Sequence, residues 1–191
     1  MKILIASDIH GDAEKTERLL EAYEHSGARK LLLLGDLLYH GPRNDLPAGY
    51  APKKVIGLLG SLKNEILCVR GNCDTEVDQM VLPFPILAEY ALLELDGVCM
   101  FATHGHKFNI NTPPPLGRGD ILLNGHTHIP KAELFDPDNG NVYINPGSVS
   151  IPKENSPASY IIYENRKFSF RVLRSGEEYM SYDVPEQMSG I

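Results

Sequence analysis

The chain has 191 residues and a mass of 21.2 kDa, which is the usual size of one domain. Its hydrophobic fraction of 42% and charged fraction of 23% are globular values and exclude wholesale disorder. The net charge of −7 argues against a protein that coats long nucleic acid or an anionic membrane, because both need a basic surface. A small phosphate substrate stays compatible with this charge, because bound metal ions reverse the sign of the local field.

The start of the sequence lacks the apolar stretch of a signal peptide, and no apolar run approaches the roughly 18 residues of a membrane span. The cysteines are Cys68, Cys73 and Cys99, an odd number without a CxxC pair. This pattern disfavours a disulfide scaffold and a zinc–thiolate site. We therefore expect a cytoplasmic protein.

Short apolar runs alternate with amphipathic runs in the first half of the chain. They predict strands at 2–7, 31–34 and 65–69 and helices at 13–25 and 53–62. Asp12 is the expected N-cap of the first helix, and Gly27 its expected stop. The Pro- and Gly-rich segment 40–52 predicts a functional loop. This β-α-β-α-β order favours a parallel sheet with right-handed crossovers.

Turn signals separate paired apolar runs in the second half. They predict hairpins of 87–95 with 98–103, of 131–135 with 141–145, and of 159–163 with 167–173. A short strand is expected at 121–123, a loop at 111–119, and fraying over the last ten or so residues. The predicted fold is one α/β domain over 1–191, with a mixed sheet or two packed sheets and helices outside.

Five apolar runs end directly before residue types that bind metals. The candidate ligands are Asp8, His10, Asp36, Asn72, His104, His126 and His128. In open α/β sheets, ligands bind at the carboxyl ends of strands, so these side chains are expected to meet along one edge. Asp8/His10 and His126/His128 are i, i+2 pairs, and in an extended segment such pairs point to the same side.

This ligand set contains two carboxylates, one amide oxygen and four imidazoles. It suits Mn, Fe, Zn, Ni or Co rather than Ca or Cu(I). Seven ligands are too many for one tetrahedral ion and fit two ions that share a bridge, with Asp36 central by position. Two ions about 3.5–4 Å apart generate hydroxide at neutral pH and clamp phosphoryl oxygens. With both ions and a bridging hydroxide the site keeps a net positive charge, which suits a phosphodiester monoanion.

The motif series resembles the calcineurin-like metallophosphoesterase superfamily, and within it the small bacterial phosphodiesterases. The motifs, in order, are Asp8-Ile9-His10, Gly35-Asp36, Gly71-Asn72, Thr103-His104-Gly105-His106 and Gly125-His126-Thr127-His128. The resemblance covers roughly residues 1–150. It implies a four-layer α/β/β/α sandwich and a two-metal site that often holds Mn²⁺.

The resemblance also implies which residues hold each ion. One ion would take Asp8, His10, Asp36 and His128, and the other would take Asp36, Asn72, His104 and His126. Asp36 would be the bridge.

The sequence departs from the wider superfamily at Cys73, where many members have a histidine that helps to protonate the leaving oxygen. A thiol has a reference pKa of about 8.5 against about 6.5 for imidazole, so it is a poor acid catalyst at neutral pH. Either the enzyme favours acidic leaving groups or another group supplies the proton, and His106 is the nearest candidate by sequence. Cys73 could equally be a buried apolar residue, and His106 a solvated or supporting one.

We therefore expect a phosphodiesterase acting on a small substrate, in which a metal-bridging hydroxide attacks phosphorus and Asn72 and His104 stabilise the oxygens. A phosphomonoesterase with the same site is the second hypothesis. The third is a non-catalytic binding scaffold like the retromer subunit of this fold, which the intact ligand set disfavours. The resemblance further suggests a homo-oligomer, a dimer or larger.

Overall fold

A computed structural model describes residues 1–185, which form eleven strands and three helices. The strands are β1 (Ile3–Ala6), β2 (Lys30–Leu33), β3 (Ile66–Cys68), β4 (Ala91–Leu95), β5 (Val98–Ala102), β6 (Ile121–Leu123), β7 (Pro130–Asp136), β8 (Asn141–Pro146), β9 (Ser159–Glu164), β10 (Lys167–Val172) and β11 (Glu178–Asp183). The helices are α1 (Ala13–Ser26), α2 (Pro52–Gly60) and α3 (Glu76–Val81).

The first sheet has the order β11-β10-β9-β1-β2-β3. Its β1, β2 and β3 are parallel, with α1 and α2 in the connections, as the alternating pattern predicts. Strand β9 pairs antiparallel with β1 and leads into the predicted hairpin with β10. The apolar run of β1 is buried throughout, which is typical of a parallel strand covered on both faces.

The second sheet has the order β4-β5-β6-β8-β7. The predicted hairpins β4–β5, around Asp96-Gly97, and β7–β8 are both present, and β5, β6 and β8 run parallel. The carboxyl ends of β5 and β6 therefore lie at one edge of this sheet, as those of β1, β2 and β3 do in the first.

The core is sorted by the strand period of two. Ile3 and Ile5 of β1 pack between the two sheets, whereas Leu4 and Ala6 face the helix-covered side. On the outer side of the second sheet, Phe108 packs over strand residues. The predicted α/β architecture of two packed sheets flanked by helices is confirmed.

The ends of α1 follow the predicted capping. The Asp12 carboxylate accepts a hydrogen bond from the backbone N–H of Lys15, and Gly27 ends the helix with a φ of +70°. Both arrangements satisfy backbone groups that a helix terminus leaves without partners.

Two elements were not predicted. Helix α3 has six residues and buries none of their side chains; it begins with a capping box between Thr75 and Asp78 rather than with an apolar stripe. Strand β11 pairs with β10 up to Asp183, so the expectation of fraying is wrong for the part of the last ten residues that it covers. The rest of that expectation falls on 186–191, outside the described residues.

The strand predicted from residue 87 begins only at Ala91. Leu87 packs with Leu82, Phe84 and Ile86 against the helix-side core, in a segment without regular secondary structure. Within residues 1–185, no helix combines the length and the apolar character needed to cross a membrane. The single domain over 1–191 stays a prediction.

Candidate metal centre

The candidate ligands follow strands of both sheets, and the edges of the two sheets meet there. Asp8 and His10 form a tight first group with His128. Asp8 Oδ1 lies 3.5 Å from His10 Nε2 and 3.2 Å from His128 Nε2. The two Nε2 atoms lie 3.2 Å apart. All three residues are buried, so this group is shielded from solvent.

A second group forms around Asp36 and His104. Asp36 Oδ2 lies 3.5 Å from His104 Nε2, and that nitrogen lies 3.1 Å from Asn72 Oδ1. The same Asp36 oxygen is 3.8 Å from His10 Nε2, in the first group. Asp36 therefore stands between the two groups, where the sequence places the bridging ligand.

His126 lies at the border of the second group. Its ring centroid is 5.0 Å from that of His104, and its backbone N–H donates to Asp8 Oδ2 at 3.0 Å. It is more exposed than the other three histidine ligand candidates. The structure therefore brings the seven candidate ligands to one place, with His126 on the solvent side.

Backbone carbonyls fix the orientation of three of these imidazoles. The Nδ1–H groups of His10, His104 and His128 point at the carbonyl oxygens of Tyr39, Leu34 and Ile151, at 2.7, 2.6 and 2.7 Å. A carbonyl oxygen only accepts hydrogen bonds, so the proton of each neutral ring lies on Nδ1 and the Nε2 lone pair faces the site. This is the usual arrangement of histidines that bind metals.

The donor set fits divalent cations. The Nε2 lone pairs of His10 and His128 face each other, and buried Asp8 Oδ1 accepts no hydrogen bond from backbone or hydroxyl groups. Such acceptors repel each other unless a proton or cation lies between them. Ligands about 2.1 Å from a shared ion are separated by roughly 3.0–3.4 Å, which is close to the spacing in the first group.

Burial and neighbouring charges shift the pKa values of three of these side chains when no ion is bound. Burial raises the pKa of Asp8, but the imidazoles of His10 and His128 lower it well below its usual range. Burial lowers the pKa of His104, but Asp36 and Asp8 raise it to about 9. A proton on His104 therefore takes the place of a cation. Burial and the charge of His104 lower the pKa of His126 to about 4, so His126 is neutral.

Left-handed backbone conformations produce the convergence of the ligands. Five of them have a positive φ: Asp8 (58°), His10 (48°), Asp36 (57°), His126 (65°) and His128 (63°). The expectation that the i, i+2 pairs lie in extended chain is wrong. The loops curl tightly after each strand, at a cost of roughly 1–2 kcal/mol per non-glycine residue.

Asp74 holds the Asp36 loop in place, and sequence reasoning did not identify this role. Its buried carboxylate accepts hydrogen bonds from the backbone N–H groups of Asp36, Leu37 and Gly71, at 2.8, 2.9 and 2.7 Å. Gly71 is required here, because a Cβ at that position would lie 2.1 Å from Asp36 Oδ1. The only sequence signal was the position of Asp74 directly after the Gly71-Asn72-Cys73 motif.

A second support lies in residues 145–150, which follow the strand predicted at 141–145. The hydroxyls of Ser148 and Ser150 both donate to the carbonyl oxygen of Asp8 at 2.9 Å. The Asn145 amide donates to the carbonyl of Gly125 at 2.7 Å. This segment therefore braces the loops that carry Asp8 and His126.

Cys73 and His106 both border the centre. The Cys73 backbone N–H donates to Asp36 Oδ1 at 2.8 Å, and its buried thiol lies 3.2 Å from the Asn72 amide nitrogen. Burial and the charge of Asp36 raise the pKa of this thiol, so it stays protonated. The His106 ring lies 5.4 Å from that of His104, and burial lowers its pKa. Its buried Nδ1 has no hydrogen-bond partner.

The centre opens into a cavity of about 480 Å³, the metal cavity below. Besides ligand candidates, exposed Arg43 and Lys153 line it. The site can therefore admit a small anion from solvent.

Buried acceptors arranged for divalent ions, at the strand ends of a two-sheet α/β fold, define a metal-dependent class of enzyme. Residues 1–167 match the calcineurin-like phosphoesterase superfamily domain. The chain belongs to this superfamily and is a hydrolase of the phosphoesterase class. Membership implies divalent metal ions.

Individual relatives agree with this assignment. The chain is 51% identical to phosphodiesterase YfcE of Escherichia coli (strain K12), over 91% of this chain and 92% of that protein. A solved structure of the E. coli phosphoesterase YfcE has a TM-score of 0.92 at 46% identity and covers 97% of this chain and 100% of the other. Vps29 from Entamoeba histolytica, solved with zinc, has a TM-score of 0.60 at 18% identity over 97% of this chain and 100% of that one, and thus shares the fold.

Because the pKa of His104 is about 9 without metal, we expect metal binding at pH 7.5 to displace a proton from this ring. As the pH rises through about 9 the ring loses this proton without metal, so the release declines. Calorimetric titration with Mn²⁺ in buffers of different ionisation enthalpy measures the number of protons released. His104→Gln should release about one proton fewer at pH 7.5, and this difference should become smaller at pH 8.5. Equal release by both proteins at pH 7.5 would contradict this assignment.

Asp74→Asn should weaken metal binding without removing any ligand. An amide has one acceptor oxygen for the three N–H groups that Asp74 now binds, so the Asp36 loop loses its support. Loss of such a supporting contact typically lowers metal affinity by about 10–100-fold. Mn²⁺ titration of the variant measures this, with the exposed Asp138→Asn as control. Unchanged affinity in Asp74→Asn would show that the loop holds its shape unaided.

Proposed function

We propose that the protein hydrolyses phosphodiester bonds of a small substrate with two divalent ions. One observation carries this proposal: two groups of buried acceptor atoms share the carboxylate of Asp36, 3.8 Å from His10 Nε2 and 3.5 Å from His104 Nε2. A single ion cannot be close to both groups and satisfy all of these acceptors, whereas two ions on either side of Asp36 can.

In this proposal the ligands are divided between the two ions as the family resemblance implies. The first ion would be held by Asp8, His10, Asp36 and His128, and the second by Asp36, Asn72, His104 and His126. The nitrogen and oxygen donors suit Mn²⁺, which is the first expectation, and also Zn²⁺, Fe²⁺, Ni²⁺ or Co²⁺. When bound, two such ions supply a nucleophilic hydroxide at neutral pH and neutralise charge on the phosphoryl oxygens.

The protein's own residues orient the substrate. Asn72 is exposed to the metal cavity and lies against His104, so its amide stands where phosphoryl oxygens would arrive. His104 is fixed through Nδ1 by the Leu34 carbonyl and cannot turn away. Arg43 and Lys153 add positive charge at the cavity wall. Together these groups favour an anionic phosphoryl centre held in one orientation.

The leaving oxygen has no strong acid beside it at position 73. The raised pKa of the Cys73 thiol makes it a weaker proton donor than an ordinary cysteine. His106 is the second candidate, on the side of His104 and His126. The proposed enzyme therefore prefers esters whose leaving groups are stable as anions.

Diesters are preferred over monoesters in this proposal because relatives are named for that activity. YfcE, at 51% identity, is named a phosphodiesterase, and so is MJ0936 of Methanocaldococcus jannaschii, at 24% identity over 77% of this chain and 83% of that protein. A homo-oligomeric state, a cytoplasmic location and the lack of long nucleic-acid or membrane partners stay predictions.

Metal analysis combined with turnover tests the proposed function. We expect about two ions per chain and faster hydrolysis of bis-p-nitrophenyl phosphate than of p-nitrophenyl phosphate, with activity lost on chelation and restored by Mn²⁺. Asp36→Asn should lose both metal and activity, whereas exposed Asp138→Asn should lose neither. A monoester preference would favour the phosphomonoesterase. Absence of binding and turnover at saturating Mn²⁺ would favour a scaffold.

Cys73→His should relieve the requirement for an acidic leaving group. An imidazole at this position can donate a proton near neutral pH, and such catalysis contributes about 10²–10⁴-fold. We expect turnover of diphenyl phosphate to rise by about tenfold or more, with a smaller change for bis-p-nitrophenyl phosphate, whose leaving group is more acidic. Cys73→Ser is the matched control. Equal changes on both substrates would argue against a missing proton donor.

His106→Ala tests the alternative proton source with the same two substrates. If His106 protonates the leaving oxygen, turnover of diphenyl phosphate should fall about 100-fold while bis-p-nitrophenyl phosphate changes little. His25→Ala, on the exposed side of α1, is the control. Unchanged turnover on both substrates would remove His106 from the mechanism.

A further inference from the structure

A second cleft, of about 370 Å³, adjoins the metal cavity. We call it the aromatic cleft; its walls include Tyr39, Tyr50, Ile56, Val77 and Val81. Cys73 lines both the aromatic cleft and the metal cavity, so the two spaces adjoin across its side chain. The volume lies within the roughly 300–1,000 Å³ typical of small-molecule sites.

Helix α3 presents apolar side chains to this cleft that the fold does not bury. Val77 is 69% exposed and Val81 is 48% exposed. The capping box of Thr75 and Asp78 stabilises the start of the helix, so these side chains are not needed to hold it. Apolar groups gathered beside a polar reaction centre are typical of a surface that contacts a ligand.

Another part of the lining is aromatic and is connected to the metal centre. The ring of His40 makes edge contacts with the rings of Tyr39 and Tyr50, at centroid distances of 4.7 and 5.5 Å. The Tyr39 carbonyl accepts the hydrogen bond that orients His10. The position of this part of the lining is therefore fixed relative to the ligands, and its rings suit a flat, apolar group.

The charged residues that line the aromatic cleft do not disfavour an anionic phosphoryl group beside Cys73. Lys53 and Asp78 are the charged residues among its described lining. The Asp78 carboxylate already accepts hydrogen bonds from the backbone N–H and the hydroxyl of Thr75, both at 2.8 Å. Lys53 is exposed and adds a positive charge.

We propose that the aromatic cleft binds the departing ester group of the substrate and selects a flat, apolar one such as a phenol. This inference rests on the proposed phosphodiesterase function. The Cys73 sulfur and ligand atoms of His10 and Asp36 all lie within 4.8 Å of one another, so a phosphorus held at the centre is next to Cys73. An ester group that extends past this small side chain enters the aromatic cleft.

Two variants of the same helix test the proposal. Val77→Gln places a polar group in the cleft wall, and Met80→Gln makes the same change at a residue that is 84% exposed and does not line the cleft. The substrates are bis-p-nitrophenyl phosphate and methyl p-nitrophenyl phosphate, which release the same phenol. We expect KM to rise about fivefold for both substrates in Val77→Gln and to change little in Met80→Gln. Metal content and thermal midpoint verify that both variants fold.

Two kinetic outcomes would overturn the proposal. A rise in KM for bis-p-nitrophenyl phosphate alone would place the retained ester group in the cleft, and an unchanged KM for both substrates would leave the cleft without a role. Tyr39→Ala, which keeps the carbonyl that binds His10, repeats the test on the aromatic part of the lining.

A binding measurement separates this proposal from the proposed function. Saturation-transfer NMR with p-nitrophenol at pH 6 should give signal with the wild-type protein and Met80→Gln, and a several-fold weaker signal with Val77→Gln. If the wild-type protein hydrolyses no diester, the proposed function fails, yet this experiment still decides whether the cleft binds the phenol. Equal signal from the two variants would overturn the cleft assignment.

Discussion

The candidate metal centre brings buried hydrogen-bond acceptors close to one another, and the loops and supporting residues around it depend on this constraint. The Nε2 atoms of His10 and His128 lie 3.2 Å apart beside a buried carboxylate oxygen of Asp8. In the absence of a cation this arrangement is unfavourable. The buried charge and lone pairs lose their hydrogen bonds to water, and acceptors cannot replace these bonds by contacting one another. The stability that offsets this cost comes from the apolar core, both between the two sheets and beneath the helices.

The same requirement explains the strained loops and the polar residues behind them. Left-handed backbone at Asp8 and Asp36 turns their carboxylates into the site, and each turn has its own support. Two serine hydroxyls bind the Asp8 carbonyl, and the Asp74 carboxylate binds the N–H of Asp36. Ligands held this firmly are arranged before an ion arrives, so little ordering entropy remains to oppose binding.

Sequence patterns were sufficient for ten of the eleven described strands, for α1 and α2, and for the meeting of the seven candidate ligands at one edge, because each depends on local signals. Short apolar runs that end in Asp, Asn or His mark both the strands and the chemistry, and Asp96-Gly97 marks a hairpin. The sequence pattern did not predict α3. This helix has six residues with no buried side chain, so its sequence shows no helical repeat of apolar residues. The pattern also mistook the i, i+2 pairs for extended chain, because curled loops and extended ends have the same spacing.

The supporting residues were beyond sequence reasoning for a different reason. Asp74 and Asn145 act on backbone atoms at positions 36 and 125, and no pattern relates a side chain to a distant amide or carbonyl. Burial is the property that distinguishes them: both are nearly inaccessible although their chemistry is polar. Only the three-dimensional structure shows that such a residue has hydrogen-bond partners that offset the cost of removing it from water.

The net charge of −7 and the proposed anionic substrate are compatible once the acidic groups near the site are assigned. Asp8 and Asp36 face the proposed ions, and the Asp74 carboxylate is occupied by backbone N–H groups. The exposed cations Arg43 and Lys153 then dominate the wall of the metal cavity. A small phosphodiester of the proposed kind would contact these two cations, whereas a long polyanion would also extend over the surface of a protein with a net charge of −7. This charge distribution supports the proposal of a small substrate, and in the proposed assignment the aromatic cleft supplies the apolar contact by which one ester is distinguished from another.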